Sequence, residues 1–158
     1  MNQPPKQNTQ GQANTVRTTF SRETSIQVTI SAQPAIVWAL LTHAADFPRW
    51  NSTVISIQGE IRPGGTIELK STLDEKRTFK LKIKEFEPEK RLVWGDAQGS
   101  RVYSLEKSGS GTNFSMSEKI GGLLFPLFAG MIPSFDESFD RFTADLKREA
   151  EKIQQSRK

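Results

Sequence analysis

The feature that most constrains this chain is its last stretch, residues 134–155. Phe135, Phe139, Phe142, Leu146, Ala150 and Ile153 recur there in steps of three and four, which puts them on one stripe of an α-helix. Ser134-Phe-Asp-Glu137 predicts a capping box, with Ser134 accepting from a free N–H and Glu137 bonding back. Asp136, Glu137 and Asp140 crowd the first turns, and Lys147, Arg148, Lys152, Arg157 and Lys158 the later ones, as the helix dipole favours. A stripe with three phenylalanines needs a broad apolar surface to cover. The upstream chain must supply a sheet.

It reads that way. Residues 24–31 alternate, with Ile26, Val28 and Ile30 on one face and Ser25, Gln27, Thr29 and Ser31 on the other. Pro34 opens a short helix through Leu41, and His43-Ala-Ala-Asp-Phe-Pro-Arg-Trp50 predicts a second helical turn ending in an aromatic anchor. Strands follow over 54–58, 66–71, 78–86, 91–95, 102–106 and 112–119, separated by turn signals such as Arg62-Pro-Gly-Gly65, Glu87-Pro-Glu-Lys90 and Ser108-Gly-Ser-Gly111. The clearest is 78–86, where Phe79, Leu81 and Ile83 alternate with outward Lys80, Lys82 and Lys84. The pattern predicts an α+β fold: an antiparallel sheet of about seven strands, two short helices after the first strand, and a long helix across the concave face.

Residues 121–133, Gly-Gly-Leu-Leu-Phe-Pro-Leu-Phe-Ala-Gly-Met-Ile-Pro, are apolar almost throughout and too short to span a bilayer. They read as a short buried helix or loop, or else as a lid over a cavity. Residues 1–19 are rich in Gln, Asn, Thr and Pro and predict a disordered polar leader, leaving 20–158 as one domain. With no cysteine and a single histidine, His43, disulfides and thiolate metal sites are excluded, and neither a metal nor a cofactor is expected. The charge of +4 is weak support for nucleic acid, which is not an expected partner. The N-terminus shows no apolar signal core, and the default location is cytoplasmic.

The order of elements resembles the START-like, helix-grip superfamily (SRPBCC), in particular its polyketide cyclase/dehydrase-like group. The matching residues are the Ile26-x-Val-x-Ile30 strand, Pro34-Ala-Ile-Val-Trp38, Phe47-Pro-Arg-Trp50, Leu92-Val-Trp94-Gly95 and Tyr103-Ser-Leu105-Glu106. Gly111-Thr-x-Phe114, Glu118-Lys-Ile-Gly121, and Leu146-Lys147 followed by Glu151 complete them, and the resemblance covers residues 24–154. It implies an apolar cavity between sheet and last helix that holds a lipid- or polyketide-like ligand, with membrane contact at most transient and a monomer or weak dimer in solution.

Several residues could carry chemistry. On its strand Glu118 shares a parity with Phe114 and Met116, and Arg101 shares one with Tyr103 and Leu105. A hairpin about 108–111 places Leu105 opposite Phe114, Tyr103 opposite Met116 and Arg101 near Glu118. An inward Arg101–Glu118 pair is thereby expected, serving either as a satisfied ion pair or as a contact for a ligand's polar end. Trp50, Phe79, Trp94, Tyr103, Met116, Phe128, Phe135 and Phe139 complete the expected lining. Relatives often carry histidines at the positions of Arg101 and Met116, so the proton-transfer set is incomplete here and binding is favoured over catalysis. The alternatives are a cyclase- or dehydratase-type enzyme using Glu118 with Arg101, and a non-enzymatic protein-interaction module.

Overall fold

The computed structural model describes residues 10–157. In chain order the elements are β1 (Asn14–Arg17), β2 (Ser21–Ile30), α1 (Pro34–Thr42) and, after a 3-10 turn at Ala44–Asp46, α2 (Phe47–Trp50). Then come β3 (Val54–Gly59), β4 (Thr66–Ser71), β5 (Asp74–Glu87), β6 (Arg91–Gly95), β7 (Gly99–Ser108) and β8 (Gly111–Gly121). The chain ends with α3 (Phe125–Phe128), a 3-10 turn at Ala129–Met131, and α4 (Asp136–Ser156).

All strands join one antiparallel sheet in the order β1-β2-β8-β7-β6-β5-β4-β3. From β3 to β8 each strand pairs with its sequence neighbour; α1 and α2 carry the chain from β2 across to the far edge. Register shifts at Val54/Ser56, Leu69/Ser71 and Ile83/Glu85 insert irregularities that bend and twist the strands. The concave face so formed is covered by α4, whose Phe139, Phe142, Leu146 and Ala150 are fully buried, with Phe135 nearly so and Ile153 half-buried.

The structure departs in detail from expectation at two places, the N-terminal edge of the sheet and the start of α4. The sheet has eight strands, and the additional one, β1, lies within the expected polar leader, whose first nine residues fall outside the described ones. Asn-Thr-Val-Arg has no apolar stripe, but β2 offers it an unpaired backbone edge, and α4 supplies acceptors. The Ala13 N–H donates to Asp140 Oδ1 at 2.7 Å, and the Thr15 hydroxyl donates to Asp136. The expected capping box is also only half formed. Ser134 Oγ accepts from the Asp136 N–H at 3.3 Å, while Glu137 is exposed and does not bond back. Two of the three acids at the helix start hold β1.

One further feature of α4 is absent from the apolar stripe. Asp145 is buried, and its Oδ2 accepts from the N–H and hydroxyl of Ser52 at 2.8 and 2.7 Å. Buried Asn51 next door accepts from both donors of Thr53 through Oδ1 and donates to the Phe142 carbonyl. These bonds fasten the middle of α4 to the α2–β3 loop.

Candidate functional site

Inward side chains of the central strands fall in rows set by the register. One row runs Thr24, Glu118, Arg101, Trp94 across β2, β8, β7 and β6; the next runs Ile26, Met116, Tyr103, Leu92. The hairpin register is the one the sequence predicts, with Leu105 opposite Phe114, Tyr103 opposite Met116 and Arg101 opposite Glu118. Gly95 permits the close approach at the end of the first row. A Cβ there would sit 2.3 Å from the Gly99 carbonyl oxygen and 2.8 Å from Ser100 Cα, so no other residue fits without moving backbone.

Arg101 Nε lies 3.3 Å from Glu118 Oε1, and its guanidinium stands 5.0 Å from the ring centre of Phe139 and 5.9 Å from that of Phe142. Burial alone would lower the Arg101 pKa, but Glu118 and Tyr103 more than offset it, so the guanidinium stays charged. The Tyr103 ring packs edge-on to Trp94 at 5.0 Å and stacks on Phe142 at 5.7 Å. Burial pushes its phenol up to about 12, against the pull of Arg101 and with a further push from Glu118.

Some polar atoms here make no hydrogen bond: Tyr103 Oη, Trp50 Nε1 and Thr143 Oγ1 are buried without one, and buried Arg101 Nε meets Glu118 as an ion pair and not in hydrogen-bond geometry. Leaving such a group unpaired costs about 1–3 kcal/mol each, and native interiors hold few of them. Both flanks of Phe142 carry one: Trp50 lies 6.0 Å from it edge-on, Tyr103 on the other contact.

A second inward arginine completes the layer. Arg22 is buried, donates to the Ile132 and Pro133 carbonyls at 3.2 and 2.8 Å, and stands 4.7 Å from the Phe135 ring centre. Its pKa is lowered by burial and by Arg17, with Glu118 and Asp136 opposing. Sequence reasoning passed over it, although extending the alternation of Ile26, Val28 and Ile30 back by two steps points Arg22 inward. Arg22 thus ties the chain ahead of α4 to the polar layer.

Of the expected lining, the structure brings together Trp94, Arg101, Tyr103, Met116, Glu118, Phe135 and Phe139, with Trp50 joining through Phe142. Two residues stand apart. Phe79 lies on the part of β5 that runs past β6, half-buried under the Arg77 guanidinium at 4.6 Å. Phe128 is half-buried against Phe125 on α3. His43 is exposed at the end of α1, and Lys80, Lys82 and Lys84 are exposed on the outer sheet face.

Cavities of about 930 and 170 Å³ lie against the outer face of the sheet, not under α4. The larger is lined by outward Gln27, Thr29, Ser104, Glu106, Asn113 and Ser115 among others. Beneath α4 the rings of Phe47, Tyr103, Phe114 and Phe142, and of Phe135 and Phe139, contact one another in the region where the hollow is expected. Among the described residues no three His, Asp or Glu side chains gather as metal ligands.

Residues 21–151 match the family model described as polyketide cyclase / dehydrase and lipid transport. The chain belongs to this family. Solved structures with the same START-like, helix-grip fold include a protein from Rhodobacter sphaeroides at TM-score 0.64 and 19% identity, covering 87% of this chain and 97% of that one. CalU16 from Micromonospora echinospora aligns at TM-score 0.57 and 21% identity over 92% of this chain and 91% of its own. A START superfamily protein from Mycobacterium smegmatis aligns at 0.61 and 13% identity over 83% and 98%. No curated protein matches the sequence. At these identities the likeness establishes the fold alone, as one such scaffold hosts many activities.

Proposed function

We propose that this polyketide cyclase/dehydrase and lipid transport family member binds a small, largely apolar ligand between the concave sheet face and α4. Arg101, Tyr103 and Glu118 receive the ligand's polar end. The observation that carries this reading is the buried Tyr103 hydroxyl, which makes no hydrogen bond, on the inward row next to the Arg101–Glu118 ion pair. A ligand oxygen would give that hydroxyl the partner that the protein does not. Apolar burial at about 25 cal/mol per Å² would supply most of the affinity. Entry requires the rings of Phe139 and Phe142 to yield, since they now fill the space above Arg101.

A cyclase- or dehydratase-type activity is the second reading, favoured by the contact of a carboxylate with a guanidinium at 3.3 Å beside one phenol. Arg101 stays protonated and Tyr103 resists ionisation, so any proton transfer would fall to Glu118 alone. Binding asks less of the same groups.

Native mass spectrometry of gently purified protein, followed by extraction and identification of whatever it carries, tests the proposal. A stoichiometric apolar adduct lost in Arg101→Met is the expected result. Protein that stays empty through a screen of fatty acids and aromatic polyketides would refute ligand binding.

A further inference from the structure

The segment between β8 and α4 presents its apolar residues in an inverted way. A short surface helix ordinarily turns its polar side to water. Here Phe125 is buried and Phe128 half-buried, while Leu123, Leu124, Leu127 and Met131 are 87%, 66%, 80% and 82% exposed. Leu123 and Leu124 lie in the turn before α3, Leu127 on α3 and Met131 in the 3-10 turn after it, and together they form an exposed apolar ridge. Exposed Phe20 adjoins it through the bond from the Gly122 N–H to the Phe20 carbonyl at 3.0 Å, and Val16 is exposed on neighbouring β1. From Ile120 to Phe135 the chain has no charged residue. Six of the seven exposed large apolar side chains belong to this one end of the molecule; Ile55, on β3, is the exception.

From this arrangement we infer that the ridge is an interfacial docking site for a lipid membrane surface. Size and shape favour a bilayer over a protein partner. A stable protein interface takes roughly 800 Å² and about 20–30 residues from each side, in complementary contact. Four leucine and methionine side chains that project at two-thirds exposure or more form a tip, not a face. A bilayer accepts a convex apolar tip without complementarity, to a depth of about 5–10 Å at the headgroup boundary. Charge adds less: exposed Arg17 and Lys119 lie beside the tip with exposed Glu23 opposite Lys119 in the register, while no charged residue falls within the ridge segment from Ile120 to Phe135. The docking is peripheral, since no helix among the described residues is long and apolar enough to cross a membrane. It stands independently of what, if anything, the interior binds.

Flotation of the full chain with phosphatidylcholine vesicles, with and without phosphatidylserine, tests the inference. The protein should float with the vesicles, more strongly when phosphatidylserine is present. Leu124→Ser combined with Leu127→Ser should weaken this by about tenfold or more, since each loses the transfer of a large apolar side chain. Both residues are exposed, so circular dichroism and thermal melting should be unchanged. Lys119→Glu should lower binding to the phosphatidylserine vesicles only, and Ile55→Ser should bind as the wild type does. Failure of the wild type to float, or equal flotation of the double leucine variant, overturns the inference. It is also overturned if light scattering shows a wild-type dimer that the double variant dissolves while neither floats.

Discussion

Tyr103 is the only tyrosine in the chain, so its ionisation can be followed by absorbance without interference from another phenol. Burial raises its pKa to about 12, which means that the folded protein keeps the proton where an unfolded chain, with a phenol near 10, has lost it. Between those values the unfolded state binds fewer protons, and stability falls as pH rises, by about 2–3 kcal/mol in all. Tyrosinate absorbance in the folded protein should therefore appear near pH 12 and not near 10. Glu118→Gln removes a charge that helps to raise the value and should move the midpoint down; a midpoint that stays fixed would place Glu118 out of electrostatic reach. The inward set around this residue was legible from period-two spacing for Arg101, Tyr103, Met116 and Glu118. Arg22 was not, because the alternation marks a strand only from Thr24, whereas β2 starts at Ser21. Nor could spacing show that Phe139 and Phe142 close over Arg101, because ring against ring contact depends on how far the helix sits from the sheet.

At the scale of elements, α4 is held by its stripe and by polar ties at both ends. Phe142 contacts the rings of Phe47, Trp50 and Tyr103, which come from α2 and β7. Phe142→Ala should cost about 3–5 kcal/mol in chemical denaturation, as for other buried phenylalanines whose surroundings cannot collapse. The C-terminal half also depends on carboxylates. Burial pushes the Glu151 pKa up, but Lys147 and the Ser31 N–H pull it below its ordinary value; the Arg49 guanidinium holds Asp46 low, and the same arginine reaches Glu149 at 2.8 Å. A carboxylate depressed on folding contributes stability above its unfolded pKa, near 4, and loses that contribution as pH falls through the folded value. Thermal stability should drop below about pH 4, and Glu151→Gln should flatten part of that drop. The long helix and the β5 alternation were legible because each carries its own apolar period. β1 was not legible, because what orders it is the free edge of β2 and two acids more than a hundred residues away.

For the whole molecule, the sheet and α4 set the family fold, while the polar layer and the exposed ridge lie toward the same end. Arg22 connects them, with its guanidinium bonded to the carbonyls of Ile132 and Pro133 and its side chain rising from the row beyond Thr24 and Glu118. The strand order carries another consequence, one of time. β2 sits inside the sheet, yet its partner β8 lies 82 residues further on at one end of the ladder and 100 at the other. During synthesis at roughly 5–20 residues per second, the Ile26-Val28-Ile30 edge waits on the order of ten seconds before that partner exists. β3 to β8 can meanwhile zip in order, hairpin by hairpin. The seam between β2 and β8 must then close last, and a nascent chain stalled before residue 111 would leave a long apolar strand open to whatever else can pair with it.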